Sequence, residues 1–203
     1  MSDAIKGASA GALQNLAAHV PNVTGLLAAQ ALPALVSLMT PGAHPQIRET
    51  CADAMINIAN CEAGKLALGK GAVPALVALA KDMTMPKSAH ATAIAVLGSL
   101  MYHQDCWPLI IKGGGIGAAV AVMRDKEATE DGSERAVGLC YILCLTGKDN
   151  IDAVRSEPGC LEALHVHASR GTGKAKQTAV QAMETLAKRG ALVRGDGKDK
   201  ADG

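Results

Sequence analysis

Aromatic side chains are almost missing from this 203-residue chain, which has one Trp, two Tyr and no Phe. Its core must therefore be assembled from Ala, Leu, Val, Ile and Met, residues that suit closely packed helices. Long apolar runs are missing as well. No stretch reaches the roughly 18 to 20 residues that span a bilayer, so membrane insertion is not expected. Neither sign of charge dominates: 20 basic against 19 acidic residues leave a formal net charge of +1. With no long block of like charge, the chain does not look built for nucleic acid. The opening stretch "MSDAIKGASAGAL" is interrupted by polar residues, and no secretory leader is expected. Cys51, Cys61, Cys106, Cys140, Cys144 and Cys160 lie mostly in apolar segments and show neither a disulfide framework nor paired C-x-x-C spacing. They read as reduced, buried thiols of an intracellular protein, with a cytoplasmic location expected. No paired carboxylates and no Cys/His/Asp constellation suggest catalysis, so neither an enzyme nor a bound cofactor is expected.

What the chain does have is a repeat. Hydrophobic residues make up 49% of it, enough for one substantial core or a short stack of smaller ones. Four lines align: "QALPALVSLM" from Gln30, "GAVPALVALA" from Gly71, "GGIGAAVAVM" from Gly114 and "PGCLEALHVH" from Pro158, with starts 41, 43 and 44 residues apart. A second set, "ALQNLA" from Ala12, "AMINIA" from Ala54, "VLGSLM" from Val96, "CYILCL" from Cys140 and "AMETLA" from Ala182, is spaced 42, 42, 44 and 42. Two independent anchors share one period, the mark of a stacked repeat protein. The alignment places Leu35, Leu76, Ala119 and Ala163 at equivalent buried positions.

One stretch points elsewhere. Gly113, Gly115 and Ala118 fit G-x-G-x-x-G/A, whose glycines let a pyrophosphate approach a helix N-terminus. The alternative function is accordingly a nucleotide-dependent enzyme using the Gly113–Ala118 turn. The sister repeats carry "LGKGAVPALV" and "LAAQALPALV" at that place, and "SERAVGLCYILCL" downstream has helical spacing rather than a strand ending in an acidic residue. The glycines are more simply a break between two helices.

Each repeat divides into a short, a medium and a long helical segment. In the second full unit these are "CEAGKLALGKG", "AVPALVALAKD" and "MPKSAHATAIAVLGSLMYH". On "GAVPALVALA" and on "ALQNLA…AMINIA" the chain resembles the armadillo repeat family over about Ala8 to Arg189; the two-helix HEAT class is the structural runner-up. The fold expected is all-α: a right-handed armadillo-type α-α superhelix of about four repeats. The repeat domain spans 1–190, with a lone long helix around Ala8 to His19 as a partial first repeat and further repeats starting near 22, 62, 104 and 149. Residues 191–203 are expected to form a flexible tail.

That resemblance implies a non-catalytic scaffold or adaptor, which binds an extended peptide segment along a concave groove or docks within a larger assembly. In the family an Asn on each long helix holds the peptide backbone, and the matching positions here are Asn15, Asn57, Ser99, Leu143 and Thr185. The nuclear-import members place Trp four residues earlier, where this chain has Gly11, Asp53, Ala95, Leu139 and Gln181; the departure argues against recognition of a nuclear localisation signal. Helical spacing extends the candidate groove to Thr50, Asp53, Asn57 and Asn60 on the second long helix and to Lys174, Gln181, Thr185 and Lys188 on the last. On the fourth, Gly132, Ala136, Leu139 and Leu143 are apolar, which means either an apolar groove floor or an offset in register.

Between Arg170 and Arg189 five basic residues face only Glu184, so the partner segment is expected to be acidic near the C-terminal end of the groove. The incomplete first repeat suggests association through the N-terminal end, with Leu13 and Leu16 facing the next unit and Ala17, Val20 or Pro21 near the open side. Two weaker patterns carry no site. "SRGTGKAKQ" has Ala175 where a phosphate loop needs Ser or Thr, and Cys160, His165 and His167 do not share one helix face, so no metal is expected.

Overall fold

A computed structural model describes residues 2–195, with side-chain environments through 189. Among the described residues the secondary structure is helical, with no strand. A long helix α1 (Asp3–Ala17) is followed by four units of three. The first holds α2 (Pro21–Ala28), α3 (Ala31–Leu38) and α4 (Pro45–Ile58); the second α5 (Glu62–Gly71), α6 (Val73–Lys81) and α7 (Lys87–Leu100). The third holds a 3-10 turn at Gln104–Cys106, α8 (Trp107–Lys112), α9 (Gly115–Arg124) and α10 (Glu130–Thr146); the fourth α11 (Lys148–Ser156), α12 (Cys160–Arg170) and α13 (Gly173–Gly195). Three helices per unit separate this arrangement from the two-helix HEAT class.

The breaks follow local chemistry. Pro stands in the first turn of α2, α4, α6 and α8, where the missing N–H has no helical partner to lose. The Thr129 hydroxyl accepts the Gly132 N–H at 3.0 Å and caps α10. Ser2 does the same for Ile5 N–H and moves the start of α1 back to Asp3, ahead of the expected Ala8. At the other end α13 runs to Gly195, through residues 191–195 of the expected tail; the remainder, 196–203, lies outside the described residues. The corner before the middle helix is left-handed in three of the four units, at Gln30 (φ 61°), Gly114 (φ 83°) and Gly159 (φ 75°), whereas the second unit turns at Ala72 with φ −115°; the first unit thus places Gln where two others place Gly.

The long helices α1, α4, α7, α10 and α13 lie side by side, each packed on the next. Middle helices α6, α9 and α12 form a second row, and α2, α5, α8 and α11 a third along the outer corner. The core lies between the rows, and Leu35, Leu76, Ala119 and Ala163 are all buried in it, as the repeat alignment requires. Ala52, Ala54, Ala89 and Ala93 are also buried and let neighbouring long helices approach closely. The single indole, Trp107, is wedged at the third corner and donates to the Met101 carbonyl at 2.8 Å.

A polar device repeats along one edge. Asp82 and Asp125 each follow a middle helix, and each accepts a backbone N–H two residues on, from Thr84 and Glu127. Each also pairs with a cation from the preceding unit's long helix: Arg48 of α4 reaches Asp82 at 2.6 Å, and Lys87 of α7 reaches Asp125 at 2.7 Å. Hydrogen bonds from Thr84 and then Arg48 hold the Asp82 carboxyl down to about 2. Arg48 is buried and leaves Nε and Nη2 without partners among the described residues, so it depends on that carboxylate.

The open N-terminal side differs from expectation. Ala17 is buried and Leu13 packs on the core, whereas Leu16 is 49% exposed and points away from the next unit. Residue 17, not 16, continues the inward line from Ala10, about two helical turns along.

Two stability measurements check this architecture. Leu76→Asp buries an unpaired carboxylate at a cost of several kcal/mol and is expected to abolish the cooperative thermal transition. Asp82→Asn keeps the turn but strands Arg48, with an expected loss on the order of 2 kcal/mol in urea unfolding at pH 7. Because the folded pKa of about 2 lies below the ordinary carboxylate value of about 3.9, the parent's advantage is complete above the latter. That advantage should disappear as the pH falls through about 2.

Candidate functional site

The face made by the long helices carries two adjoining clefts. One, about 320 Å³, runs between α4, α7 and the start of α10, with Ile56, Ser88, Thr92 and Asp131 in its walls. The other, about 440 Å³, continues between α7, α10 and α13 past Gly98, Ser99, Ile142 and Lys174, with Tyr102 at the rim. Ala95, Asp131 and Arg135 line both, so the two form one trough crossing four long helices. Tyr102 is 76% exposed, a large ring held in water beside a cleft.

Ser99 and Lys174 of the sequence candidates line this trough directly. Asp53 borders it through Thr92, whose hydroxyl lies 3.4 Å from the carboxylate. Thr50, Ser99 and Thr185 donate to the carbonyls one turn back, those of Gln46, Ala95 and Gln181, and keep oxygen lone pairs for an incoming donor. Asn15 of α1 and Gln181 of α13 are exposed without lining either cleft, and so is Asn60, which lies in the turn after α4 and not on the long helix as expected, because α4 ends at Ile58. Asn57 is already engaged: its side-chain nitrogen donates to the Gln14 carbonyl at 3.1 Å and ties α4 to α1. Lys174 stands 3.6 Å from Glu134, and Lys188 stands 3.8 Å from Glu184.

On α10 the structure resolves the question of register. Gly132, Ala136, Leu139 and Leu143 are buried, although Leu139 still lines the larger cleft; the more accessible line runs one residue earlier, with Asp131 and Arg135 exposed and Gly138 and Ile142 half-buried. Leu143 offers only hydrocarbon, and burying it is worth more than leaving it in the trough. The spacing of Asp131, Arg135, Gly138 and Ile142 at i, i+4, i+7 and i+11 was the available signal for this face.

The trough is electrostatically uneven. Asp53 is pushed up by burial and then by the charge of Glu49, whose carboxylate accepts the Ser88 hydroxyl at 2.6 Å. Neither acid has an ion-pair partner among the described residues. At the far end the basic residues of α12 and α13 outnumber the acidic ones.

The other sequence candidates resolve into packing. Trp107 to Lys112, the strand that a nucleotide turn would need, is helix α8. A Cβ at Gly113 would come within 2.4 Å of Val73 Cγ1, and one at Gly115 within 2.4 Å of Ile110 Cγ2, so these glycines serve close helix approach. Cys140 and Cys160 face each other at 3.9 Å inside the core, while the His167 ring lies 2.9 Å from the Met123 carbonyl and His165 is exposed. Among the described residues no three metal-ligating side chains converge. Burial pushes the Cys51 and Cys144 thiols up to about 12, far from thiolate chemistry at neutrality. No single helix among them is long and apolar enough to cross a membrane.

No family model matches the chain. It is 25% identical over 105 residues to U-box domain-containing protein 19 of Arabidopsis thaliana; the match takes in 51% of this chain and 15% of that protein. A designed armadillo repeat protein in complex with the peptide (KR)4 superimposes with a TM-score of 0.74 at 22% identity, over 86% of this chain and 72% of that one. The armadillo repeats only protein of Plasmodium falciparum does so with a TM-score of 0.74 at 13% identity, over 89% and 79% of the two chains. Helix triplets, a shared row of long helices and these likenesses agree that the chain has the armadillo-type repeat fold, a right-handed α-α superhelix.

Proposed function

We propose that this protein is a non-catalytic adaptor of the cytoplasm whose long-helix face holds an extended segment of a protein partner. The observation that carries the reading is the continuous trough from α4 to α13, because it offers an extended chain a floor of Ala95, Gly98 and Ile142 between polar rims. A backbone laid along it meets the Ser99 hydroxyl as an acceptor, with the hydroxyls of Thr50 and Thr185 and the amides of Asn15, Asn60 and Gln181 flanking the clefts. Charge sets the direction. An acidic part of the segment lies over Lys174 and Lys188, and a cationic part over Glu49 and Asp53, which have no ion-pair partner among the described residues. The peptide complex of one designed neighbour supports a peptide-sized occupant for this type of surface.

A second reading rests on a separate observation. Ile5, Leu16 and Val20 are 54%, 49% and 43% exposed near the N-terminal end, apolar side chains suited to docking within an assembly or to self-association.

Selection of a displayed random peptide library on the immobilised protein tests the first reading. Ser99→Trp fills the larger cleft and is expected to abolish retention of the selected peptides at an unchanged melting temperature. Lys188→Glu should weaken acidic members by up to about fivefold at low salt. That effect should fade as the Debye length shortens to about 8 Å. Peptides retained equally by Ser99→Trp would show that the trough is not the working surface. For the second reading, sedimentation velocity at rising concentration should show association that Leu16→Ser removes; a monomer at every concentration counts against self-association.

A further inference from the structure

On the opposite surface, away from the trough, the corner between α2 and α3 and the facing helix α5 enclose an open cleft of about 540 Å³. Its walls are hydrocarbon: Leu27 and Leu32, the Pro33 ring, Val36 and Ala67. Three polar side chains also line it: Ser37, whose hydroxyl donates to the Ala34 carbonyl at 2.7 Å, Lys70 and Gln30. The Lys70 ammonium forms no ion pair among the described residues, and the Gln30 amide makes no side-chain hydrogen bond among them.

Gln30 is also the one non-glycine residue described with positive φ. Two of its sister corners use Gly114 and Gly159, which enter the left-handed region without the Cβ clash that Gln30 bears, and the third turns at Ala72 with φ −115°. The strain is not needed to form the corner, since the same turn is made elsewhere by Gly. What Gln adds is a carboxamide at the edge of the cleft. An unsupported strain of this kind at the mouth of a cavity points to use of the side chain.

We propose that this cleft is a second docking site, independent of the trough, for a linear peptide that presents a bulky apolar residue next to an acidic one. The apolar side chain enters between Leu27, Val36 and Ala67, the carboxylate pairs with Lys70, and the Gln30 amide takes one backbone group of the peptide. A peptide bearing a basic residue there meets Lys70 as a like charge and is rejected.

The test uses the full chain and a synthetic peptide array of the form apolar–any–acidic within fixed flanks, each member accompanied by a twin in which Asp or Glu is replaced by its amide. Acidic members should bind two- to fivefold better than their amide twins, the size expected of one exposed ion pair. Lys70→Glu should erase that preference, and replacing the apolar residue by Ala should cost about tenfold or more. Gln30→Gly gives the decisive readout, because relief of the left-handed strain should raise the melting temperature by about 2 °C while peptide binding weakens. Ser99→Trp in the trough should leave this binding intact, so failure of one site is distinguishable from failure of the other. Acidic and amide twins that bind alike, or peptide binding that Gln30→Gly and Lys70→Glu leave unchanged, would overturn the proposal.

Discussion

Everything in this molecule depends on one constraint: no unit encloses a core of its own. Three short helices cannot surround a side chain the size of Leu76 or Ile94, and the chain has almost no aromatic rings to enlarge a local cluster. Each unit is therefore completed by its neighbours, with stability arising at the interfaces between units. Alanine is what makes those interfaces dense. Where two long helices meet through Ala52, Ala54, Ala89 and Ala93, their backbones approach closely, and the outward halves of the same helices are left to form a surface.

Polar contacts then set the angle between units. A cation from one long helix reaches an aspartate that already closes the turn of the next unit, as in Arg48 with Asp82 and Lys87 with Asp125. The aspartate is held from both sides, so the turn, the unit interface and the spacing of successive long helices are fixed together. The trough inherits that spacing. Its floor comes from small residues such as Ala95 and Gly98 in α7, and its width from the distance at which α7 and α10 are kept apart.

Much of this was legible in the sequence, and the exceptions have physical causes. A repeat near 42 residues with two anchors specifies stacked helix triplets, because only residues facing the core must recur; Leu35, Leu76, Ala119 and Ala163 are such residues. The surface is under no such restraint. On α10 the anchor at Cys140 gave the correct helix but a line one residue away from the exposed one, since spacing fixes which residues share a face and not which face wins burial. Asn57 looked like a free amide because its partner, the Gln14 carbonyl, lies 43 residues away in the chain and is a backbone atom that no side-chain pattern records. The Gln30 corner was hidden for a similar reason: its counterparts in the third and fourth units are Gly114 and Gly159, and only the backbone angles reveal that Gln adopts their conformation.

Trp107 turns the scarcity of aromatic residues into a property of the molecule as an optical object. Its indole is seated at one corner of the third unit and bonded to the Met101 carbonyl. Indole emission, excited beyond the absorption of the two tyrosines, consequently reports a single address in the array, while far-ultraviolet ellipticity averages over every helix. In a chain whose units lean on their neighbours, the two signals separate whenever the array loosens from an end, and they coincide when it comes apart at once. The lone ring is a built-in gauge of how far cooperativity extends along the stack.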